Sequence, residues 1–231
     1  MHRLPYFFLF PRKCAHCGRV IEHNRFYCPD CREKMPFIEA ARCEKCGCGR
    51  ALCICRAKST NYTALLAPFY YEGGAKHAVL RMKRYPIYAE VLAEECVRVY
   101  REYYGSIRFD AVCAVPMSRE RLKRSGFNHS ERLARRIAEQ IAVPYQPLLR
   151  CVTSARPQHK RGLGFRTGNV RGIYDIIENT VLKDKTILLV DDIKTSGATL
   201  GECALMLRLG GAEEVYALCA AVAKPAQAQV Q

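Results

Sequence analysis

Residues 186–199 read TILLVDDIKTSGAT, and this stretch decides the fold. Its four consecutive aliphatic residues, Ile187–Val190, are typical of a strand that is buried on both faces of a parallel sheet. Two acids follow where that strand is expected to end, and the hydroxyl and glycine residues behind them run straight into a helix. Ligands of parallel α/β sheets bind beyond the carboxyl ends of the strands, so the turn after Val190 is the expected binding site.

The side chains of this turn match the chemistry of a sugar phosphate. Asp191 and Asp192 can accept hydrogen bonds from two neighbouring ribose hydroxyls. The hydroxyl groups, the glycine and the backbone N–H groups of residues 195–199 would lie at a helix N-terminus, where a phosphate is favoured. Ribose beside phosphate indicates ribose 5-phosphate. A simpler interpretation, in which the two acids only cap the helix, leaves the hydroxyl residues and the glycine unexplained.

Strands and helices alternate outward from this stretch. The apolar pattern predicts strands at residues 63–71, 110–115, 186–190 and 215–222, and helices at 75–84, at 88–104 and from Asn128 onwards. Asn128 with Glu131 three residues later forms a capping-box variant. The residues between Pro116 and Asn128 are expected to form a basic loop. This order of apolar strands and helices predicts an α/β fold, with a parallel sheet flanked by helices on both faces.

Cysteine marks a second, smaller unit. Nine of the fourteen cysteines lie between Cys14 and Cys55. Their paired spacing predicts two closed zinc sites of four thiolates each, formed by Cys14, Cys17, Cys28, Cys31, Cys43, Cys46, Cys53 and Cys55. We expect the pairs to combine in chain order, but the spacing leaves open a crossed arrangement, and also Cys48 in place of Cys53. A closed site has no free coordination position, so we expect the zinc to be structural and to supply the folding free energy of this segment.

The net charge of +15 is unevenly distributed. Residues 117–171 contain thirteen Lys and Arg against three Glu, a net +10, and residues 1–60 contain twelve against five acids, a net +7. This clustering favours an anionic partner, either nucleic acid or a polyphosphate. The simpler alternative is a positively charged surface that only contacts solvent. No apolar run reaches the roughly 18 residues that span a bilayer, and the run at residues 4–10 is not expected to be a secretory signal. Paired cysteines in such a chain indicate the reducing cytoplasm.

Together these motifs resemble two groups of known proteins. The apolar strand, two acids and Thr-Ser-Gly-Ala-Thr resemble the type I phosphoribosyltransferases, which bind 5-phosphoribosyl 1-pyrophosphate (PRPP). Within that superfamily, the cysteine-rich head and the Arg-Ser-Gly-Phe-Asn at residues 124–128 resemble the ComF family of late-competence proteins. The resemblance covers nearly the whole chain, from residue 10 to about residue 223.

The resemblance implies three regions at the substrate. The implied PRPP-binding residues are Asp191, Asp192, Lys194, Thr195, Ser196, Gly197, Ala198 and Thr199. The implied pyrophosphate loop contains Pro116, Arg119, Arg121, Lys123, Arg124 and Asn128, and a mobile flap contains Arg156, Gln158, Arg166 and Asn169. Asp191, Asp192 and Arg156 are the candidate catalytic residues. Two positions depart from the family pattern, because Ser125 stands where Arg is usual and His129 where Gln is frequent; Arg124, one position earlier, is the expected substitute.

Two functions are compatible with these expectations. The first is a phosphoribosyltransferase that transfers ribose 5-phosphate from PRPP to an amine or nucleobase, with Mg²⁺ bridging the diphosphate. The alternative is a non-catalytic accessory of DNA uptake that binds single-stranded DNA, with a vestigial or regulatory PRPP pocket and, from the family context, a helicase partner. The expected domains are a zinc-ribbon head at residues 1–60, a phosphoribosyltransferase-like domain at 61–224 and a disordered tail at 225–231. The sequence leaves the acceptor and the occurrence of turnover open.

Overall fold

The computed structural model describes residues 13–22, 26–38, 41–55, 60–85, 87–152 and 172–225. The predicted flap residues Arg156, Gln158, Arg166 and Asn169, and all of the predicted tail but residue 225, lie outside these ranges. The described helices are α1 (Pro29–Glu33), α2 (Gly73–Met82), α3 (Ile87–Tyr103), α4 (Arg119–Ser125), α5 (His129–Ile141) and α6 (Ala198–Leu209). The described strands are β1 (Leu65–Leu66), β2 (Phe69–Tyr70), β3 (Ala111–Ala114), β4 (Leu149–Cys151), β5 (Tyr174–Ile176), β6 (Thr186–Lys194) and β7 (Glu214–Val222).

The main sheet has the strand order β1-β7-β6-β3, and β2 extends the β1 edge by pairing with β7. Every pairing in this sheet is parallel. Ala114, the last residue of β3, lies opposite Val190, and β6 and β7 continue side by side to Lys194 and Val222, so the carboxyl ends of all three strands point to the same edge. The predicted α/β fold with a parallel sheet is confirmed.

Apolar side chains on both faces of β6 explain why this strand is central. Leu188 and Val190 pack into the core beneath α2, α3 and α5, whereas Ile187 and Leu189 pack into the core beneath α6. All four are buried. A strand that is covered on both faces carries the continuous apolar run seen in the sequence.

Three predicted elements differ from the structure. The strand expected at residues 186–190 continues to Lys194, so Asp191 and Asp192 lie within β6 and the turn begins after them. The strand expected at residues 63–71 is divided into β1 and β2 at Pro68, which has no N–H for the sheet. The basic loop expected before Asn128 is instead largely the helix α4, because Ser118 caps its start, with Ser118 Oγ accepting from Arg121 N at 3.4 Å. Gly126 ends it with a φ of 79°, in the left-handed region that favours glycine.

The cysteine-rich segment covers the outer edge of the sheet. Glu44 O accepts a hydrogen bond from Leu65 N at 2.7 Å, and Ile38 N donates to Pro68 O at 2.9 Å. Tyr70 N donates to Pro36 O at 2.8 Å. These bonds satisfy backbone groups that an exposed edge strand would leave unpaired.

Candidate binding cleft and metal centres

An open cleft of about 480 Å³ lies at the carboxyl edge of the sheet, where the sequence predicts the binding site. Its walls come from the ends of β3 and β6, from α4, from the first turns of α5 and α6, and from β5. The lining residues are Lys83, Val115, Pro116, Met117, Arg121, Arg124, Ser125, Asn128, His129, Ser130, Tyr174, Asp191, Asp192, Ile193, Thr195 and Thr199. The cleft thus unites residues from the predicted ribose-phosphate turn with residues from the predicted pyrophosphate loop.

Asp191 forms the buried floor of the cleft. Its side chain accepts a hydrogen bond from Ser130 Oγ at 2.7 Å and one from the backbone N–H of Asp192 at 2.9 Å. Burial, together with the charge of Asp192, raises the pKa of Asp191 to about 7. The hydrogen bond from Ser130 acts in the opposite direction by stabilising the carboxylate.

Asp192 lies closer to solvent and forms an ion pair with a residue from another part of the chain. Its Oδ2 is 3.2 Å from Lys83 Nζ, and its Oδ1 accepts from the backbone N–H of Ile193 at 2.8 Å. Each carboxylate oxygen has two acceptor sites, so these bonds leave capacity on both oxygens. Asp192 can therefore still accept hydroxyl groups from the cleft.

The turn after β6 presents backbone N–H groups to solvent. Gly197 has a φ of 86° and precedes α6, whose first helical hydrogen bond runs from Gly201 N to Gly197 O at 2.8 Å. The N–H groups of the first helical turn consequently have no acceptor within the helix. Ser196 Oγ accepts from Ala198 N at 3.3 Å, and the side chains of Thr195 and Thr199 line the cleft. Lys194, Ser196, Gly197 and Ala198, although predicted for the same site, do not line it.

Two of the four cationic side chains of the predicted pyrophosphate loop reach the cleft. Arg121 and Arg124 line it from α4, whereas Arg119 and Lys123, on the same helix, do not. Successive residues of a helix point in different directions, so a helix cannot aim all four side chains at one ligand as the expected loop could. Pro116 and Asn128 also line the cleft, but Asn128 is mainly structural: Asn128 Oδ1 accepts from Ser130 N at the start of α5, and Asn128 Nδ2 donates to Val115 O.

The two residues that depart from the family pattern contact each other. Ser125 Oγ lies 3.0 Å from His129 Nε2, and Ser125 Oγ also donates to Phe127 O at 3.0 Å. Burial lowers the pKa of His129, so the imidazole is neutral at pH 7. This neutral pair occupies the place where the family pattern has a guanidinium, and Arg124 supplies the neighbouring positive charge.

Sequence reasoning missed several cleft residues, above all Lys83, Ser130 and Tyr174. Ser130 could have been predicted, because it lies in the first turn of the helix that begins beside the predicted site residue Asn128. Lys83 follows the last residue of α2, and nothing in its neighbourhood in the sequence connects it with Asp192.

The eight predicted zinc ligands form two groups in chain order. Cys14, Cys17, Cys28 and Cys31 form one group, and Cys43, Cys46, Cys53 and Cys55 form the other. Within each group the Sγ atoms lie within 4.8 Å of one another, as convergence on one metal ion requires. Cys48 is buried but belongs to neither group, so the structure favours Cys53 as the ligand.

Both groups are built on the same backbone motif, a Cys-x-x-Cys-Gly knuckle. Gly18 N donates to Cys14 O at 3.0 Å, and Gly47 N donates to Cys43 O at 2.8 Å. Burial raises the pKa of Cys14 and of Cys43, but hydrogen bonds from nearby backbone N–H groups outweigh burial and lower the pKa to about 6 and about 7, respectively. Thiolates are the form that binds zinc, and four convergent cysteine side chains in each group fit a structural zinc ion.

Comparison with known proteins agrees with both parts of the chain. Residues 7–61 match the family model of the double zinc ribbon domain. The chain is 26% identical to "Competence protein ComFC" of Streptococcus pneumoniae, over 87% of this chain and 84% of the relative. It is also 26% identical to "DNA utilization protein YhgH" of Salmonella typhimurium, over 89% of this chain and 88% of the relative. The predicted resemblance to the ComF proteins is confirmed.

Among solved structures, a purine phosphoribosyltransferase from Pyrococcus horikoshii is similar to this chain with a TM-score of 0.37 and 16% identity. The alignment includes 57% of this chain and 73% of the neighbour's chain. An adenine phosphoribosyltransferase covers 61% and 74%, respectively, with 15% identity and a TM-score of 0.39. Within the described part of the chain, no helix has the length and apolarity to cross a membrane.

Proposed function

We propose that the cleft binds ribose 5-phosphate, alone or as PRPP, and that the protein serves the uptake or use of DNA. The observation that carries the first part is the convergence of Asp192, the N-terminus of α6 and two guanidinium groups in one open cleft. The names of the ComFC and YhgH relatives support the second part. The proposed location is the cytoplasm, in line with the paired thiolates.

The cleft offers a different type of partner to each part of this ligand. Asp192 would accept the ribose hydroxyls, while Asp191 beneath it holds the backbone of the strand end through its bond to Asp192 N. The N–H groups of the first turn of α6, with the Thr195 and Thr199 hydroxyls, would bind the 5-phosphate. Arg121 and Arg124 would bind the pyrophosphate group of PRPP.

If turnover occurs, the same residues account for what this chain would contribute. Departure of pyrophosphate from the ribose leaves positive charge on the sugar and adds negative charge to the leaving group. Arg121 and Arg124 would stabilise the departing charge, and Asp192 would hold the ribose in place. Mg²⁺, bound to the diphosphate, would supply further neutralisation of its charge.

Calorimetric titration with ribose 5-phosphate and with PRPP plus Mg²⁺ tests the proposal. The double variant Asp191→Asn, Asp192→Ala should lose at least about a hundredfold in affinity, because each hydrogen bond to a charged group is worth about 1.5–3 kcal/mol. Asp184→Asn is the matched control, since Asp184 is exposed and Asn tolerates its positive φ of 58°. Absence of heat with the wild-type protein would refute the proposal.

A second candidate function, binding of single-stranded DNA, is favoured by a groove of about 1130 Å³ beside the cleft. Lys83 lines both the groove and the cleft. The groove also contains Lys13, Arg81 and Arg84, and Tyr85 within it is 52% exposed. Cations that follow a backbone together with aromatic rings on which bases stack are typical of single-stranded nucleic-acid sites.

Fluorescence anisotropy with a labelled oligothymidylate at several salt concentrations tests this second function. Each phosphate contact on a single strand contributes about −0.7 to the slope of log affinity against log salt, so Arg84→Ala should make the slope less negative by about that amount. Arg101→Ala, the same change at an exposed arginine on α3, should leave the slope unchanged. The double variant of Asp191 and Asp192 should retain its affinity for DNA, which separates the two functions. An affinity that does not change with salt concentration, which is a slope of zero, would eliminate this mode.

A further inference from the structure

A second cleft, of about 650 Å³, lies at the other end of the sheet. It opens at the amino ends of β1 and β7, whereas the sugar-phosphate cleft opens at the carboxyl ends of β3 and β6. We call it the junction cleft, because the cysteine-rich segment forms one wall and the large domain the other. It is lined by Ala41, Arg42, Glu44, Arg50, Thr63, Ala64, Leu65, Leu66, Tyr103, Tyr104, Ile107 and Tyr216.

The junction cleft contains a buried cation, Arg42, on which the Glu102 charge acts from a distance and to which Tyr103 is hydrogen-bonded. Arg42 is only 8% exposed, and its terminal nitrogens donate to the carbonyl groups of Ala67 and Ile38. Within the described ranges, Arg42 forms no ion pair with a carboxylate, and its Nε has no hydrogen-bond partner. Burying a charge is costly unless it is paired, so this arrangement indicates that an anion completes the site.

The remaining wall residues indicate what kind of anion fits. Arg50 is exposed at the cleft and adds a second guanidinium, held beside the first by its bond from Nε to Arg42 O at 3.4 Å. Tyr103 lies under the Arg42 guanidinium at 5.1 Å, and Tyr216 packs edge-on against Tyr104 at 5.1 Å. The cleft therefore combines positive charge with aromatic surface, and its volume is in the range of small-molecule sites.

We propose that the junction cleft binds a free nucleoside monophosphate. Arg50 contacts its phosphate, with the charge of Arg42 behind it. The base packs against Tyr103 and Tyr216, and the Glu44 carboxylate accepts a hydrogen bond from a donor on the base or the sugar. The two walls belong to different parts of the chain, so a bound nucleotide ties the cysteine-rich segment to the large domain. This site is independent of the proposed sugar-phosphate cleft.

The test uses 2′-deoxyadenosine 3′-monophosphate in the presence of saturating ribose 5-phosphate. This nucleotide lacks the 5-phosphate and the vicinal hydroxyls that the sugar-phosphate cleft would bind, so calorimetry reports on the junction cleft. We expect Arg50→Ala to weaken binding at least about tenfold, since one charge-assisted hydrogen bond is lost. Tyr216→Leu should weaken it about fivefold to a hundredfold, the range for loss of one stacked aromatic ring.

The matched control is Arg101→Ala, which removes an exposed arginine of α3 outside the cleft. It should change the affinity by less than about twofold. Melting temperature and zinc content, measured for every variant, show whether each remains folded. Two results would overturn the proposal: no binding by the wild-type protein at millimolar nucleotide, or equal weakening by Arg50→Ala and Arg101→Ala. Loss of ribose 5-phosphate binding alone would overturn the proposed function and leave this inference standing.

Discussion

Ser130→Ala removes a side-chain hydrogen bond to the buried Asp191 carboxylate at the floor of the sugar-phosphate cleft. The Ser130 hydroxyl donates to Asp191 Oδ1 at 2.7 Å, and the two residues are 5% and 8% exposed. Burial raises the pKa of Asp191 to about 7, and the Ser130 hydrogen bond limits that rise. The substitution should therefore raise the pKa of Asp191 further and lower the free energy of unfolding.

The expected loss depends on pH. A hydrogen bond to a charged group is worth about 1.5–3 kcal/mol and one between neutral groups about 1 kcal/mol. Because the folded-state pKa of Asp191 lies above the unfolded value of 3.8, the folded protein retains a proton that the unfolded chain releases, and this group's contribution to stability falls as pH rises from about 4 to about 7. In Ser130→Ala the fall should continue above pH 7. The loss should be about 1 kcal/mol at pH 5 and about 2 kcal/mol at pH 8.5.

Thermal unfolding, monitored by circular dichroism at both pH values, measures this difference. For a chain of this length about 1 kcal/mol corresponds to about 2–4 °C, so the melting temperature should fall by about 4–8 °C at the higher pH and by half of that at the lower. Ser106→Ala, at an exposed serine, is the control and should leave the melting temperature unchanged. All other titratable groups are common to the three proteins, so the difference between them isolates Asp191. An equal loss at both pH values would refute the reasoning.

Three further predictions concern the turn and the metal sites. Gly197→Ala should lower the free energy of unfolding by about 1–2 kcal/mol, because φ is 86° and the new Cβ would lie 3.2 Å from Lys194 Cε. Gly201→Ala, in open space within α6, should instead raise it by about 0.5–1 kcal/mol. Thermal unfolding measures both changes. Cys48→Ser should retain two zinc ions per chain and Cys53→Ser only one, as counted by release to a chromogenic chelator. Removal of all zinc by chelation should unfold the cysteine-rich segment, visible as proteolysis confined to it.

The ribose-phosphate turn could be predicted from the sequence because its signals are local. An apolar strand, two acids and a glycine before a helix all lie within 14 consecutive residues, and the structure places Asp191, Asp192, Thr195 and Thr199 together in the cleft. Lys83 could not be predicted in the same way. It reaches Asp192 only because α2 packs on the same face of the sheet, and no local pattern encodes that packing.

Helix α4 shows a different limit. Its residues are nearly all charged, and Leu122 is its only large apolar residue, so the apolar periodicity that identifies a helix is absent. The sequence features that do indicate this helix are its capping residues, Ser118 at the N-cap and Gly126 at the C-cap. The charge pattern correctly indicated a cationic wall, but only the helix geometry decides that Arg121 and Arg124 contribute to it and Arg119 and Lys123 do not.

The two zinc sites support different parts of the large domain. The first packs against the helices: Arg81 Nη1 donates to Ala15 O at 3.2 Å, and Arg32 pairs with Glu95 at 2.8 Å. The second packs behind the phosphate turn. A Cβ at Gly47, in its knuckle, would lie 3.4 Å from Val222, the sheet partner of Lys194.

Tyr62 makes the connection between the second zinc site and the phosphate turn direct. Its hydroxyl donates to Lys45 O within the knuckle at 2.7 Å and would lie 3.7 Å from a Cβ at Gly197. We expect the metal to fix the shape of the knuckle through its thiolates, so the position of the turn should depend on the second zinc ion. The two structural zinc ions should therefore have different effects when they are lost. Loss of the second should loosen the phosphate turn, whereas loss of the first should loosen the contact with α2 and α3.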